Sequence, residues 1–281
     1  MHEIQGTTRL LGIIGDPIKH SRSPIMQNAA LSHLGADYVY VPFPVKQEQL
    51  GIVLEGFQAV GVVGFNVTIP HKQAIMPYLS QISPLAQAMG AVNTVWRTER
   101  GWEGTNTDVL GFIAPLKEER QKWSESQVVI LGNGGSARAV VAGCFELGVK
   151  QVHVVGRNLE RLQAFQQSWS DPVIVHLWHE LPELLSETTL LVNTTPIGMS
   201  PHVNATPVEQ ELLAQLPKGA IVYDLIYNPR PTQLLKLGRS LDLFTIDGTE
   251  MLVQQGAAAL QIWLDEPVPV GVMRRALLDA L

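Results

Sequence analysis

Two polar clusters in the sequence could carry acid–base chemistry, and each directly follows a predicted extended segment. Lys72 ends the run 66–72 (NVTIPHK), and Asp108 ends the run 104–108 (GTNTD). A lysine and a carboxylate brought together in a cleft can move a proton to or from a hydroxyl during hydride transfer. Taken singly, each residue has a simpler interpretation. Lys72 is then a solvated helix residue, and Asp108 is the N-cap of a helix over 109–116.

Further short polar side chains stand at the ends of other predicted strands. Ser21 and Ser23 are one residue apart between two prolines, so their hydroxyls could face one polyol or carboxylate ligand. A serine N-cap beside a surface loop explains the same residues equally well. Asn66 and Thr68 are likewise one apart, and Asn93 ends another extended segment. Strand ends are where open α/β sheets bind ligands, which favours a binding site here.

A glycine-rich turn in the middle of the chain indicates a dinucleotide site. The run 128–131 (VVIL) predicts a strand, 132–135 (GNGG) a tight turn, and the small residues that follow predict a helix. Gly132 permits the turn, Gly134 lets backbone amides approach a pyrophosphate, and Ala137 lets the helix lie close to the strand. The helix N-terminus would present free N–H groups to the phosphates. The alternative is a glycine-rich turn that binds nothing.

The residues after the next predicted strand indicate which dinucleotide binds. Folds that bind NAD usually carry an acidic residue there, which binds the ribose 2′-hydroxyl. This chain has Gly156, Arg157 and Asn158 instead. An arginine can pair with a 2′-phosphate, so the sequence predicts NADP. A solvated surface arginine is the alternative.

Composition excludes several classes of protein. The chain has 281 residues, 46% of them hydrophobic and 16% charged, with a formal net charge of −6 and no basic block. These values favour a well-buried enzyme with no nucleic-acid or membrane partner. The single cysteine, Cys144, is predicted to be a buried structural thiol. His176 and His179 lack further ligands, so no metal is expected. With no signal-like N-terminus and no apolar run of about 18 residues, we expect a cytoplasmic protein.

Strand and helix signals alternate along the chain in two series, which predicts an α/β fold with mainly parallel sheets. The polar stretch 117–126 separates the two series. The predicted strands are 10–14, 38–41, 62–65 and 91–96 in the first series, and 128–131, 152–155, 173–177, 190–193, 221–225 and 243–246 in the second. Two closing helices are predicted over 251–264 and 270–281.

Eight ordered segments resemble the shikimate dehydrogenase family, and together they span residues 15–255. They are 15–24 (GDPIKHSRSP), 66–72 (NVTIPHK), 90–94 (GAVNT), 104–108 (GTNTD), 132–139 (GNGGSARA), 193–199 (NTTPIGM), 224–232 (DLIYNPRPT) and 248–255 (GTEMLVQQ). The resemblance implies reversible, NADPH-dependent reduction of 3-dehydroshikimate to shikimate, a step of chorismate and aromatic amino acid biosynthesis. It also implies a substrate-binding catalytic domain over 1–110, a Rossmann-type NADP domain over 111–247, and helices over 248–281 that return to the substrate domain.

The resemblance also assigns roles to individual residues. It implies that Lys72 and Asp108 are the acid–base pair, and that Lys72 protonates the developing alkoxide. The residues implied to contact substrate are Ser21, Ser23, Asn66, Thr68, Lys72, Asn93, Asp108, Tyr227 and Gln255. Those implied to hold the cofactor are Gly132, Asn133, Gly134, Gly135, Ser136, Ala137, Arg157, Asn158, Leu225 and Gly248.

Two positions depart from the family pattern, and two rival functions stay open. Asn158 replaces a common threonine after the arginine, and Asn133 replaces a common alanine in the turn. One rival is a quinate/shikimate dehydrogenase that also uses NAD, although no acidic residue stands beside Arg157. The other is a non-catalytic ligand-binding regulator, which the intact Lys72 and Asp108 disfavour. A homodimer is compatible with the resemblance, but the sequence does not give the oligomeric state.

Overall fold

The computed structural model describes residues 4–119 and 122–281, with the side chains of Glu118 and Glu119 excepted. Arg120 and Gln121, within the polar stretch predicted to separate the two series, lie outside the described residues. The chain divides into two compact units. Unit 1 comprises the described residues up to Gly111 together with Leu252–Ala280, and unit 2 comprises those from Phe112 to Met251 with Leu281.

Unit 1 contains a six-stranded mixed sheet in the order β2-β1-β3-β5-β6-β4. Its strands are β1 (Arg9–Gly15), β2 (Tyr38–Pro44), β3 (Gly64–Val67), β4 (Gln81–Ile82), β5 (Thr94–Thr98) and β6 (Gly101–Thr105). The strand β1 pairs in parallel with β2 and β3, and β4 pairs in parallel with β6. Only β5 runs antiparallel to its neighbours, β3 and β6.

Helices cover both faces of this sheet. They are α1 (Ser23–Leu34), α2 (Leu50–Ala59), α3 (His71–Ala74), α4 (Pro84–Met89) and α12 (Val270–Leu278), while α5 (Asp108–Glu119) and α11 (Thr249–Leu264) contribute residues to both units. Strand alternation sends Leu11 and Ile13 to the face covered by α1, α11 and α12, and sends Ile14 to the face covered by α2. Each such side chain stabilises the fold by roughly 1.5–3 kcal/mol on burial.

The C-terminal helix α11 is fixed to the unit 1 sheet by a close backbone approach. The Trp263 indole donates a hydrogen bond to the carbonyl of Val95 at 3.0 Å. The same ring lies over Gly64, where a Cβ atom would come within 2.2 Å of Trp263 Nε1. Only glycine leaves room for the ring, so Gly64 permits the helix to pack this closely on the sheet.

Unit 2 contains a fully parallel six-stranded sheet in the order β12-β11-β10-β7-β8-β9. The strands are β7 (Gln127–Leu131), β8 (Val152–Gly156), β9 (Val173–Leu177), β10 (Thr188–Asn193), β11 (Ile221–Asp224) and β12 (Phe244–Ile246). Its other helices are α6 (Gly135–Glu146), α7 (Leu159–Gln167), α8 (Leu181–Leu184), α9 (Gln210–Leu213) and α10 (Gln233–Ser240). This strand order is that of the doubly wound dinucleotide-binding fold, with its switch point between β7 and β10.

The structure confirms the α/β class and the mainly parallel sheets, and it corrects one predicted strand. The segment predicted as a strand over 91–96 begins only at Thr94, because the preceding residues form a loop. The segment after β3 is a single α-helical turn over His71–Ala74 followed by a 3₁₀ turn. Cys144 is buried, as predicted, and burial raises the pKa of its thiol far above the ordinary value. Among the described residues, no helix is long and apolar enough to cross a membrane.

Candidate active site

The antiparallel strand β5 explains why distant polar residues meet at one edge of unit 1. Parallel strands β1 and β3 both end at this edge, and β6 also ends there. Because β5 runs the opposite way, it begins where they end, and Thr94 pairs with both Asn66 and Thr105. Asn93, just before β5, therefore lies beside the residues that follow β3 and β6. Sequence patterns did not indicate this reversed strand.

Lys72 and Asp108 form an ion pair at this edge. The Lys72 Nζ atom lies 2.5 Å from Asp108 Oδ2, and the two side chains are 18% and 10% exposed. The lysine comes from α3, which follows β3, and the carboxylate comes from the first turn of α5, which follows β6. Charge-assisted contacts of this length are strong when solvent access is limited. The pair is positioned to transfer a proton to a ligand at this edge.

Asp108 is fixed on both sides by asparagines. Its second carboxylate oxygen accepts a hydrogen bond from Asn93 Nδ2 at 2.8 Å, and its backbone N–H donates to Asn106 Oδ1 at 2.9 Å. The simple N-cap interpretation of Asp108 is wrong, because α5 already begins at this residue and both carboxylate oxygens bond to other side chains. Asn93 also reaches Gln255 of α11, whose Oε1 lies 3.5 Å away.

Asn66 is held by a residue that the sequence analysis missed. Tyr40 donates a hydrogen bond to Asn66 Oδ1 at 2.7 Å, and the Ser23 side chain lies close to the same hydroxyl. The Ser21 hydroxyl oxygen accepts from the backbone N–H of Ser23 at 3.3 Å. The helix α1 has Arg22 at its N-cap position and no side-chain cap, so the alternative of a serine N-cap is wrong.

Thr68 and His71 occupy the turn between β3 and α3. The Thr68 methyl group lies against Gly15, where a Cβ atom would come within 2.6 Å of it. This close approach brings the segments that follow β1 and β3 together. His71 is fully buried, and its Nε2 atom bonds to the carbonyl of Val45 at 2.7 Å.

The glycine turn of unit 2 has the geometry of a phosphate-binding site. Gly132 has φ +101, and a Cβ atom there would lie 2.8 Å from Thr194 Oγ1, so glycine is required. Gly134 precedes α6 with no side-chain cap, which leaves the first N–H groups of this 12-residue helix uncapped by side chains. Cβ atoms at Gly134 or Gly135 would meet nothing within 4 Å, so the space above the turn is open.

The other residues predicted to hold the cofactor at this turn differ in burial. Ala137, within α6, is fully buried. Asn133 and Ser136 lie half-buried in the turn and the first turn of α6.

Arg157 is exposed at the end of β8, beside the start of α7. Asn158 is the N-cap of α7, and its Oδ1 atom accepts from the backbone N–H of Arg161 at 2.9 Å. The side-chain oxygen of Asn158 therefore caps α7, and the side-chain NH₂ group can still donate to a ligand. Arg161, in the first turn of α7, is a second exposed cation that the sequence analysis did not single out.

Leu225 and Gly248 touch each other through their backbones. A Cβ atom at Gly248 would lie 2.0 Å from the carbonyl oxygen of Leu225, and the Gly248 N–H donates to the carbonyl of Ile226 at 3.2 Å. Tyr227 follows in the same segment and is half-buried in unit 2. An ion pair of Arg230 Nε with Asp247 Oδ2, at 2.5 Å, joins this segment to the one that bears Gly248.

Asp224 holds the loops that follow β10 and β11. Its carboxylate accepts from Asn193 Nδ2 at 3.0 Å, from the Ile226 N–H at 3.1 Å and from the Thr232 hydroxyl at 2.7 Å. Burial nevertheless raises the pKa of Asp224 to about 6, although the three hydrogen bonds act in the opposite direction. Together with the Arg230–Asp247 pair, this network fixes the segment that contains Leu225 and Tyr227.

One of the two histidines considered for a metal packs against a third. His176 stacks on His153, and His176 Nε2 lies 3.0 Å from His153 Nδ1. Burial lowers the pKa of His153, and the charge of His176 adds to this effect. In the part of the chain that the structure describes, no three His, Cys, Asp or Glu side chains converge on one point.

Comparisons with known proteins agree with this arrangement. Family models described as the shikimate dehydrogenase substrate binding domain, shikimate / quinate 5-dehydrogenase and the shikimate 5'-dehydrogenase C-terminal domain match residues 13–95, 115–251 and 248–278. A shikimate dehydrogenase (NADP(+)) of Gloeothece citriformis is 56% identical over 99% of this chain and 98% of its own length.

Solved structures show the same relationship. A shikimate dehydrogenase in complex with NADP+ has a TM-score of 0.91 and 38% identity, over 99% of this chain and 97% of its own. A shikimate 5-dehydrogenase from Listeria monocytogenes, in complex with shikimate and NAD, has a TM-score of 0.88 and 32% identity over 99% of both chains. With such identity along the whole length, the chain belongs to the shikimate dehydrogenase family.

Proposed function

We propose that this protein is an NADP-dependent shikimate dehydrogenase, which interconverts 3-dehydroshikimate and shikimate. Family membership supports the reaction class, since curated relatives that cover the whole chain are named shikimate dehydrogenase (NADP(+)). The observation that carries the catalytic assignment is the contact of 2.5 Å between Lys72 Nζ and Asp108 Oδ2. A regulator that only bound a ligand would not need a proton-transferring pair at this edge.

The polar edge of unit 1 is the proposed substrate site. It offers hydroxyl, amide, ammonium and carboxylate groups, which together suit a small ligand with several hydroxyls. The proposed substrate contacts in unit 1 are Ser21, Ser23, Asn66, Thr68, Lys72, Asn93, Asp108 and Gln255. Tyr227, in unit 2, is proposed to contribute a further contact. The helices over 248–281 are proposed to complete the substrate domain, and the bond between Asn93 and Gln255 of α11 supports this.

Lys72 is the proposed acid in the reductive direction. Bound NADPH would supply a hydride to the carbonyl carbon of the substrate, and negative charge would then develop on the carbonyl oxygen. The Lys72 ammonium stabilises that charge and gives a proton from Nζ to the oxygen. Asp108, itself held by Asn93, keeps the ammonium in place. In the oxidative direction the same step runs in reverse, and the neutral Lys72 amine accepts the hydroxyl proton on Nζ.

The glycine turn of unit 2 is the proposed NADP site. The uncapped N–H groups of α6 and the open space above Gly134 and Gly135 fit a pyrophosphate. Asn133, Ser136 and Ala137 belong to the same turn. Arg157 is proposed to bind the 2′-phosphate, with an additional bond from the Asn158 amide. Leu225 and Gly248 are proposed to contact the nicotinamide end.

The test is an oxidation assay with purified protein, shikimate and NADP. We expect NADPH to form only when shikimate is present, with 3-dehydroshikimate as the organic product. Protein that is folded and binds NADP, yet forms no NADPH with shikimate, would refute the proposal.

A cytoplasmic location and either a monomer or a homodimer are compatible with the proposed function. Cell fractionation and light scattering measure these two properties.

A second candidate is a dehydrogenase that accepts quinate and NAD as well. The relative from Listeria monocytogenes was solved with NAD, which favours keeping this candidate. The exposed Arg157 and the absence of a carboxylate beside it favour NADP. Turnover of quinate with NAD at a rate near that of shikimate with NADP would establish the second candidate instead.

A further inference from the structure

Tyr40 is a buried tyrosine that contacts the proposed substrate site from inside the protein. It lies in β2, its side chain is 1% exposed, and the centroid of its ring is 6.1 Å from that of Trp263. A tyrosine buried this fully usually bonds its hydroxyl to a partner. Here the partner is Asn66, one of the proposed substrate contacts.

The Tyr40 hydroxyl connects β2 to Asn66, in β3. The phenol donates to Asn66 Oδ1 at 2.7 Å, and the Ser23 side chain, at the start of α1, lies close to the same hydroxyl. Burial raises the pKa of Tyr40 well above its ordinary value, so the phenol keeps its proton and remains a donor. One buried group thus connects two segments that are distant in the sequence.

These bonds fix the orientation of the Asn66 amide. The two hydrogens of Asn66 Nδ2 go to the carbonyl of Asn93 at 3.1 Å and to Thr94 Oγ1 at 3.2 Å. A flipped amide would place its oxygen against the Asn93 carbonyl, which is unfavourable because both atoms are acceptors. Both hydrogens are therefore used inside the protein. What Asn66 can offer a ligand is the remaining lone pair of Oδ1.

We propose that Tyr40 is a positioning residue for substrate binding, whose hydroxyl presents Asn66 as a hydrogen-bond acceptor to a substrate hydroxyl. This inference rests on the proposed function of the site. Tyr40 itself touches neither substrate nor cofactor. It acts through Asn66, so its effect falls on substrate affinity.

The test is Tyr40→Phe, which keeps the ring and removes the hydroxyl. We expect the KM for shikimate to rise about tenfold, because a buried polar group that loses its hydrogen-bond partner weakens binding by about this much. The value of kcat should change by less than about threefold, and the KM for NADP by less than about twofold, because neither the acid–base pair nor the cofactor site is altered.

Tyr38→Phe is the matched control. Tyr38 lies two residues earlier on β2, and its hydroxyl accepts from Arg9 near the surface. Removing that hydroxyl should leave both KM values unchanged. Wild-type protein without shikimate-dependent NADP reduction would refute the proposed function itself. An active wild type with an unchanged shikimate KM in Tyr40→Phe would overturn only the inference about Tyr40.

Two further outcomes are informative. If Tyr40→Phe weakens shikimate and NADP equally, the hydroxyl has a general structural role and the inference is wrong. If Tyr40→Phe is only partly folded, the same comparison is made at saturating NADP, which stabilises the folded state by mass action. A selective rise in the shikimate KM then supports the inference, and an unchanged shikimate KM overturns it.

Discussion

Lys72 is the residue on which the proposed chemistry depends, since its ammonium both bonds Asp108 and can donate a proton. We expect Lys72→Ala to lower kcat by about a hundredfold or more while the shikimate dissociation constant changes by less than about fivefold. Steady-state kinetics and an equilibrium titration measure the two quantities. Lys46→Ala is the control, because Lys46 is exposed and lies outside the proposed site. Loss of affinity with unchanged kcat would contradict the catalytic assignment.

Arg157 is the residue that the proposal makes responsible for the choice of cofactor. Its exposed guanidinium is expected to bind the 2′-phosphate of NADP and to add nothing to the binding of NAD. Arg157→Gln should raise the KM for NADP by about 10- to 100-fold, which corresponds to about 1.5–3 kcal/mol for a charged hydrogen bond. The KM for NAD should stay the same. Arg239→Gln, an exposed arginine bonded to Thr245, is the control. An equal effect on both cofactors would contradict the assignment.

At the scale of single elements, the segments after β11 and β12 can touch because residue 248 is a glycine and has no side chain. Gly248→Ala would push a methyl group against backbone atoms of Leu225, which cannot move as a side chain would. We expect the free energy of unfolding to fall by about 1–3 kcal/mol and NADP binding to weaken. Gly271→Ala, in α12 with nothing within 4 Å, should leave stability unchanged or raise it by up to about 1 kcal/mol. An unchanged unfolding midpoint in Gly248→Ala would show that this contact is absent.

The buried carboxylate of Asp224 makes the stability of unit 2 depend on pH. Its pKa is about 6 in the folded protein, above its value of about 3.9 in an unfolded chain. The folded state therefore binds the proton more tightly, and the stabilisation is fully present below about pH 4 and lost as the pH rises through about 6. Relative to Asp224→Asn, which does not titrate, the wild type should lose about 3 kcal/mol across this interval. Urea unfolding at several pH values measures it, and a difference that does not vary with pH would contradict it.

At the scale of the whole molecule, the sequence predicted the fold better than it predicted the contacts between side chains. Val128–Leu131 and the glycine turn identified the cofactor unit because local strand, turn and helix signals agree there. The grouping of polar residues at one edge of the unit 1 sheet was harder to predict from the sequence, because this grouping depends on β5 running antiparallel. That reversal brings Asn93 to Asp108, and no local pattern encodes the direction of a strand in a sheet.

Residues that act only through tertiary contacts were missed for the same reason. Tyr40 has the pattern of an ordinary strand residue, and only the fold places its hydroxyl against Asn66. Asp224 was part of a motif, but its role as an anchor depends on Asn193, at the end of another strand, and on Thr232, eight residues further along its own segment. Arg230 and Asp247 likewise meet only in the folded chain. Local patterns predicted the groups that are proposed to touch ligands, and tertiary structure revealed the groups that hold these in place.

The central claim is that the whole protein oxidises shikimate with NADP, and steady-state kinetics with two polyols and two cofactors tests it most directly. Purified protein is assayed with shikimate or quinate, each combined with NADP or NAD. We expect kcat/KM to be highest for shikimate with NADP, and to fall about tenfold or more when either NAD or quinate is substituted, since each loses specific polar contacts. Equal or higher values for quinate with NAD, or no turnover with any pair, would contradict the account.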